Sequence, residues 1–182
     1  MKVTETKLEG CFILEPKVFE DKRGYFFESF NQNGFNKLVS KTSVFVQDNE
    51  SYSTKGVLRG LHYQIGEHAQ AKLVRVVQGS VLDVAVDLRK NSKTFGEHIS
   101  VELSNDNKKQ LFVPRGFAHG FIVLSDTAIF SYKCDNYYHK ESEEGILYND
   151  PTLNIDWQLH SNEFIVSEKD MLLPNFEDAK LW

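Results

Sequence analysis

Short alternating runs dominate residues 44–134. In Val81-Leu-Asp-Val-Ala-Val-Asp-Leu88, Leu82, Val84, Val86 and Leu88 fall on one side, read as the inward one, with Asp83 and Asp87 on the other. That period of two marks a strand. Lys72, Val74 and Val76 share a face of a second run, His98–Leu103 alternates again, and Ala128, Phe130, Tyr132 and Cys134 share a face of another. Gln78-Gly-Ser80, Ser104-Asn-Asp-Asn107, Pro114-Arg-Gly116 and Ser125-Asp126 supply turn residues between them. The pattern predicts about eight short strands with turn signals about every 8–12 residues, the spacing of an all-β sandwich or barrel. A double-sheet jelly roll closes such a chain naturally.

The flanks are less regular. Cys11-Phe-Ile-Leu14 and Tyr25-Phe-Phe-Glu-Ser-Phe30 read as strands around a turn at 20–24, and Asn31–Val39 reads as a weak helix. Residues 135–182 read as turns and one or two short helices packed on the barrel. The expectation is one domain over 1–182, with an N-terminal strand arm (about 1–30) and an irregular tail (about 135–182).

Composition narrows the function classes. The net charge of −5 argues against general nucleic-acid binding. No run reaches the roughly 18 apolar residues of a membrane span, and the first residues lack a signal-peptide core. Cys11 and Cys134 are single and far apart, which points to a reducing cytoplasm.

The densest chemistry lies in Gly56-Val-Leu-Arg-Gly-Leu-His-Tyr-Gln64, just after Gln47-Asp-Asn49. Strict alternation puts Gly60, His62 and Gln64 on one side and Arg59, Leu61 and Tyr63 on the other, unless a glycine bends the strand. Pro114, Gly116 and His119 match the second metal motif of a cupin, but His62 is followed by Tyr63 and Gln64, so the His-x-His of the first motif is missing. One His per strand falls short of a catalytic metal's ligand set, and no metal or other cofactor is expected. The acid–base candidates are His62, Tyr132, Lys72 and His119, with Asp170 or Asp83 as the carboxylate that orients a histidine. A cavity-facing Lys72 could stabilise an oxyanion, or simply pair with Asp83 or Asp87. Arg23 and Arg59 suit phosphates.

Several long motifs resemble the dTDP-4-dehydrorhamnose 3,5-epimerase family. They are Phe19-Glu-Asp-Lys-Arg-Gly-Tyr-Phe-Phe-Glu28, Gln47-Asp-Asn49, Lys55-Gly-Val-Leu-Arg-Gly-Leu-His-Tyr-Gln64, Gln70-Ala-Lys-Leu-Val-Arg75, Val113-Pro-Arg-Gly-Phe-Ala-His-Gly-Phe121 and Ser167-Glu-Lys-Asp170, in that order. The resemblance implies a metal-free cupin-type double-stranded β-helix (jelly roll) with short peripheral helices, forming a homodimer that exchanges N-terminal strands. It implies conversion of dTDP-4-dehydro-6-deoxy-D-glucose, a dTDP-linked 4-keto-6-deoxy-hexose, to dTDP-4-dehydro-L-rhamnose. By similarity His62 is the base, oriented by Asp170, Tyr132 is the acid and Lys72 stabilises the enolate. Arg23, Arg59 and Lys169 match diphosphate or substrate contacts, and Glu28, Gln47, Asp48 and Asn49 match nucleotide-binding positions. His119 and Glu143 match further substrate contacts, and Tyr138 matches the aromatic that stacks on thymine. A C3-only or C5-only epimerase is the alternative, and a non-catalytic sugar-nucleotide-binding cupin a further one. Retention of Tyr132 speaks against the first, and retention of His62, Lys72 and Asp170 against the second.

Overall fold

The alternating region folds into eight strands, the first of which runs over Gln47–Thr54 and takes in residues that read as a loop. The computed structural model describes residues 1–181, so Trp182, the last residue of the expected tail, lies outside the described residues. In chain order the strands are β1 (Lys2–Glu5), β2 (Phe12–Glu15), β3 (Phe19–Asp21), β4 (Gly24–Phe26), β5 (Gln47–Thr54), β6 (Val57–Gln64), β7 (Lys72–Gln78), β8 (Ser80–Asp87), β9 (His98–Ser104), β10 (Gln110–Val113), β11 (Phe117–Val123), β12 (Thr127–Cys134), β13 (Glu143–Gly145) and β14 (Ile165–Val166). One sheet runs β1-β2-β10-β7-β12-β5, and the other β13-β6-β11-β8-β9 with β14 beside β6. β3 and β4 form a separate hairpin.

Three apolar layers hold these sheets. Val74, Val76, Phe121, Phe130 and their neighbours from both sheets fill the space between them. Phe35 of α1 (Gln32–Leu38) packs on the outer face of the first sheet with Leu14, Leu73 and Phe112. Asn31 starts that helix, its side chain accepting the Gly34 N–H at 3.0 Å. The tail covers the outer face of the second sheet through Ile146, Leu153, Trp157 and Phe176.

This tail corrects the reading of β8. Leu82, Val84, Val86 and Leu88 do not face the space between the sheets; they face the layer under the tail. Asp83 and Asp87 are also fully buried, on the opposite side with Val81 and Ala85. A covered sheet has no solvent face, so alternation gives the period but not which side is inside.

β6 departs from plain alternation in a way that builds the site. Arg59 opposes Phe121 and His62 opposes His119 on β11, so three steps on β6 match two on its partner. That extra residue is a β-bulge, and it resets which side chains share a face. Leu58 and Leu61 both enter the layer under the tail. Arg59 and His62 both turn the other way. Gly60 sits at the bulge with φ +130°, where a Cβ would lie 2.6 Å from the Gly120 Cα and 2.9 Å from the His119 carbonyl oxygen. Gly60→Ala is therefore expected to lower stability by about 2 kcal/mol or more and to abolish activity, since strain of this kind costs about 1–3 kcal/mol. Chemical denaturation and turnover check this; a variant with wild-type stability and rate would contradict the role given to the bulge.

Candidate active site

Two adjoining cavities open between the sheets and the tail, of about 520 Å³ and about 320 Å³. Both are lined by His62, Lys72 and Tyr132. These three come from facing sheets: His62 from β6, Lys72 and Tyr132 from β7 and β12.

His62 is fixed by a residue 108 positions away. β14 pairs in parallel with β6, Ile165 against Val57 and Val166 against Leu58. The chain then enters the short helix α2 (Glu168–Met171), where the Ser167 hydroxyl accepts the Asp170 N–H at 3.1 Å. Asp170 is delivered buried, with Oδ1 at 2.8 Å from His62 Nε2 and Oδ2 accepting the Gly60 N–H at 3.4 Å. Burial alone would raise the Asp170 carboxyl, but its bonds to His62, Gly60 and Ser167 outweigh that and hold it below the usual carboxylate range. An ionised Asp170 accepts a hydrogen bond from the Nε2–H of His62 and so leaves Nδ1 as the basic nitrogen.

Lys72 has no hydrogen-bond or ion-pair partner among the described residues, and no buried side-chain nitrogen or oxygen lacks one, so its ammonium opens on the cavity. Its Nζ lies 5.8 Å from the Tyr132 ring centroid. It does not pair with Asp83 or Asp87: Asp83 takes His119, with both carboxylate oxygens 3.0 Å from Nε2, and Asp87 takes Arg89 at 2.8 Å. Burial pushes the Tyr132 phenol above its usual range, so it stays protonated at neutral pH and can donate.

The smaller cavity carries the amide and aromatic groups. Gln47 and Asn49 of β5 line it together with Tyr138 and Glu143. Gln47 Nε2 donates to Asn49 Oδ1 at 3.1 Å, and Gln47 Oε1 accepts the Tyr138 N–H at 3.0 Å. Glu143 accepts from Tyr138 Oη at 3.1 Å and pairs with Lys169. Burial pushes the Glu143 carboxyl up, but the Lys169 and Tyr138 bonds outweigh it and hold it down. Arg59 lines the larger cavity, its Nε 3.2 Å from the Ser53 hydroxyl.

Three expected contacts lie elsewhere. Asp48 sits between Gln47 and Asn49 on a strand, so it points to the opposite face and pairs with Lys133 at 2.9 Å. Arg23 is in the exposed β3–β4 hairpin, bound to Asp21 at 2.6 Å, and Glu28 accepts from Asn31 at 3.2 Å. None of the three lines either cavity. Reasoning from motifs also passed over Ser51, Phe121 and Ser167, which line the larger cavity. Alternation could have found the first two, since Ser51 is two beyond Asn49 and Phe121 two beyond His119. Ser167 carries the local signal of a helix N-cap, three residues before Asp170, but its place in the cavity comes only through the parallel pairing of β14. Among the described residues no group of three or more His, Cys, Asp or Glu converges as a metal site.

This geometry has close relatives. A family model for dTDP-4-dehydrorhamnose 3,5-epimerase matches residues 5–178. A curated protein of that name from Shigella flexneri is 54% identical over 179 residues, 98% of each chain. The crystal structure of dTDP-4-dehydrorhamnose 3,5-epimerase from Elizabethkingia anophelis NUHP1 superposes with a TM-score of 0.95 at 57% identity, over 100% of this chain and 99% of the other. That of dTDP-6-deoxy-D-glucose-3,5-epimerase from Legionella pneumophila Philadelphia 1, in complex with dTDP-4-keto-L-rhamnose, gives 0.92 at 50% identity, over 96% and 92%. The fold is the cupin-type jelly roll, and the chain belongs to the dTDP-4-dehydrorhamnose 3,5-epimerase family.

Proposed function

We propose that this protein converts dTDP-4-dehydro-6-deoxy-D-glucose to dTDP-4-dehydro-L-rhamnose by inverting C3 and C5. The observation that carries this reading is His62 of one sheet, held by Asp170 of α2, facing Lys72 and Tyr132 of the other sheet across one cavity. The C4 ketone acidifies the hydrogens on C3 and C5. His62 Nδ1 takes one of them, Asp170 stabilising the resulting imidazolium. The electron pair left on carbon delocalises onto O4 as an enolate, and the Lys72 ammonium meets that charge. Preorganised electrostatic stabilisation of this sort is commonly the largest single catalytic term. Tyr132 then returns a proton from the facing sheet, on the opposite side of the carbon, which inverts it. Solvent water then takes the proton from the His62 imidazolium and returns one to the Tyr132 phenolate, and the sequence repeats at the second carbon. Every step is a proton transfer, so no redox cofactor and no metal is required.

Gln47, Asn49 and Tyr138 in the smaller cavity suit the nucleotide, with Tyr138 stacking on thymine. Arg59 and Lys169 suit the diphosphate or sugar oxygens. Asp48 serves the nucleotide end only through a neighbouring segment, since it faces away here. The chain acts as one domain whose hairpin reaches a second copy. Phe19, Tyr25 and Phe26 are exposed on that hairpin, which joins neither sheet. An apolar cluster on a detached hairpin is a surface made for a partner, and exchange of the arm would bring Arg23 and Glu28 to the partner's cleft. We place the enzyme in the cytoplasm, since Cys11 and Cys134 are buried free thiols, and no helix among the described residues is long and apolar enough to cross a membrane.

His62→Ala is expected to lower turnover by at least about a hundredfold, within the range of general-base catalysis, with dTDP affinity within about twofold of wild type. Steady-state kinetics and calorimetry check both; near-wild-type turnover would sink the assignment of the base. Arg23→Ala and His62→Ala proteins are each expected to be impaired, and mixing them after mild dissociation should restore part of the activity. One of the two sites in each mixed dimer then has an intact His62 completed by an intact Arg23. Mixtures no more active than the sum of their parts would contradict the exchanged arm.

A further inference from the structure

The inward face of β5 is polar along its whole length. Gln47, Asn49, Ser51 and Ser53 stand opposite Cys134, Tyr132, Phe130 and Ala128 of β12. Gln47 and Asn49 line the smaller cavity and Ser51 the larger one, but Ser53 lines neither. It is buried at the edge of the apolar layer that holds Ala128 and Phe130. A hydroxyl taken out of water there is a cost to the fold unless it finds a partner. Its partner is Arg59, whose Nε donates to the Ser53 Oγ at 3.2 Å.

The two residues belong to different sheets. β5 is the edge strand of the first and β6 lies within the second. Lys55 and Gly56 carry the chain across, their amides bonded to the carbonyls of Asp126 and Val123. That anchored corner sets Ser53 against the bulge that turns Arg59 toward the cavity.

Which nitrogen is held matters. A guanidinium donates from Nε and from both terminal nitrogens. Arg89 and Arg115 show one way to hold it: Asp87 and Asp135 each take Nε and Nη2 together, which cancels the charge and fills one edge of the fork. Ser53 is neutral and takes Nε alone. The terminal nitrogens of Arg59 have neither a hydrogen-bond nor an ion-pair partner among the described residues, so charge and fork are both left for a ligand. Asp170 is the carboxylate that lines the same cavity, and it is committed to His62 and Gly60. Ser51 and Lys169 line that cavity too. A fork, an ammonium and a hydroxyl with no free carboxylate among them suit a phosphate.

We propose that Ser53 is a positioning residue for phosphate recognition: through Nε it fixes the plane of the Arg59 guanidinium, so that both terminal nitrogens meet the diphosphate of the nucleotide sugar. This rests on the reading of Arg59 as a diphosphate contact. Ser53 touches no part of the substrate. It acts by holding an arginine that would otherwise have to be ordered when the ligand arrives.

Calorimetric titration of the full-length protein with dTDP and with thymidine tests this, alongside steady-state kinetics. Ser53→Ala should bind dTDP about tenfold more weakly, with thymidine affinity within about twofold of wild type, since the ordering cost falls on the phosphate contact alone. KM should rise with kcat nearly kept, the sign of lost binding that ground state and transition state share. Ser53→Thr keeps the hydroxyl and should bind dTDP as wild type does. Arg59→Ala should itself weaken dTDP binding, and adding Ser53→Ala to it should cost less than about twofold more, because Ser53 acts only through the guanidinium. Unchanged dTDP affinity in Ser53→Ala or in Arg59→Ala would overturn the proposal. So would equal loss of dTDP and thymidine binding in Ser53→Ala, or the full loss again in the Arg59→Ala background; either would make Ser53 a structural residue. Wild-type protein that binds dTDP with this dependence on Ser53 but epimerises nothing would overturn the reaction assigned above and leave the role of Ser53 standing.

Discussion

The structure turns on the carboxylate of Asp170. One of its oxygens bonds His62 and the other accepts from the Gly60 amide, so a single side chain clamps both the proposed base and the bulge that aims it. Without the bulge, Arg59 and His62 would project to opposite sides of β6. Without the tail, the pair would lose its carboxylate. The fold brings the two together through β14 beside β6 and the Ser167 cap of α2, and the apolar seal of Ile146, Leu153 and Trp157 keeps the tail in place. A hydrogen bond to a charged carboxylate of this kind is typically worth about 1.5–3 kcal/mol. The tail is therefore part of the proposed catalytic apparatus as much as a cover for the sheet.

The cavity gathers charges that a plain β-sandwich would exclude. His62 and His119 stand opposite each other on β6 and β11, each held by its own aspartate. Lys72 has neither a hydrogen-bond nor an ion-pair partner among the described residues. An unpaired ammonium in a low-dielectric cavity attracts negative charge more strongly than the same group in water. That is the environment in which charge forming on a ketone oxygen is stabilised, and it explains a lysine at the start of a strand whose next inward residues, Val74 and Val76, are core.

Much of this was legible in the sequence because strand period and turn residues are local signals. Alternation from residue 44 to 134 gave the eight strands, and the motif order gave the family and the four residues at the centre of the cavity. Three features were not legible, each for a physical reason. Which side of β8 is inside depended on the tail, since a strand covered on both faces shows a period without a direction. The turn of Arg59 toward His62 depended on the register shift at Gly60, which the sequence marks only as a glycine. From residue chemistry alone the choice between Asp170 and Asp83 as partner of His62 stayed open, and only the family resemblance picked Asp170, because the deciding contacts span 108 and 36 residues, between Asp170 and His62 and between Asp83 and His119. Arg23 and Glu28 were named by motif, yet this chain's own cavity does not contain them; their place follows only if a second copy receives the arm.

The most direct test of the central claim is proton NMR of dTDP-4-dehydro-6-deoxy-D-glucose incubated with the protein in deuterated water. If His62 abstracts and Tyr132 returns protons through an enolate at both positions, deuterium must appear at C3 and at C5, with the coupling pattern of the L-rhamno product. Deuterium at one carbon alone would contradict double inversion, and no incorporation at either would contradict the enolate mechanism as a whole.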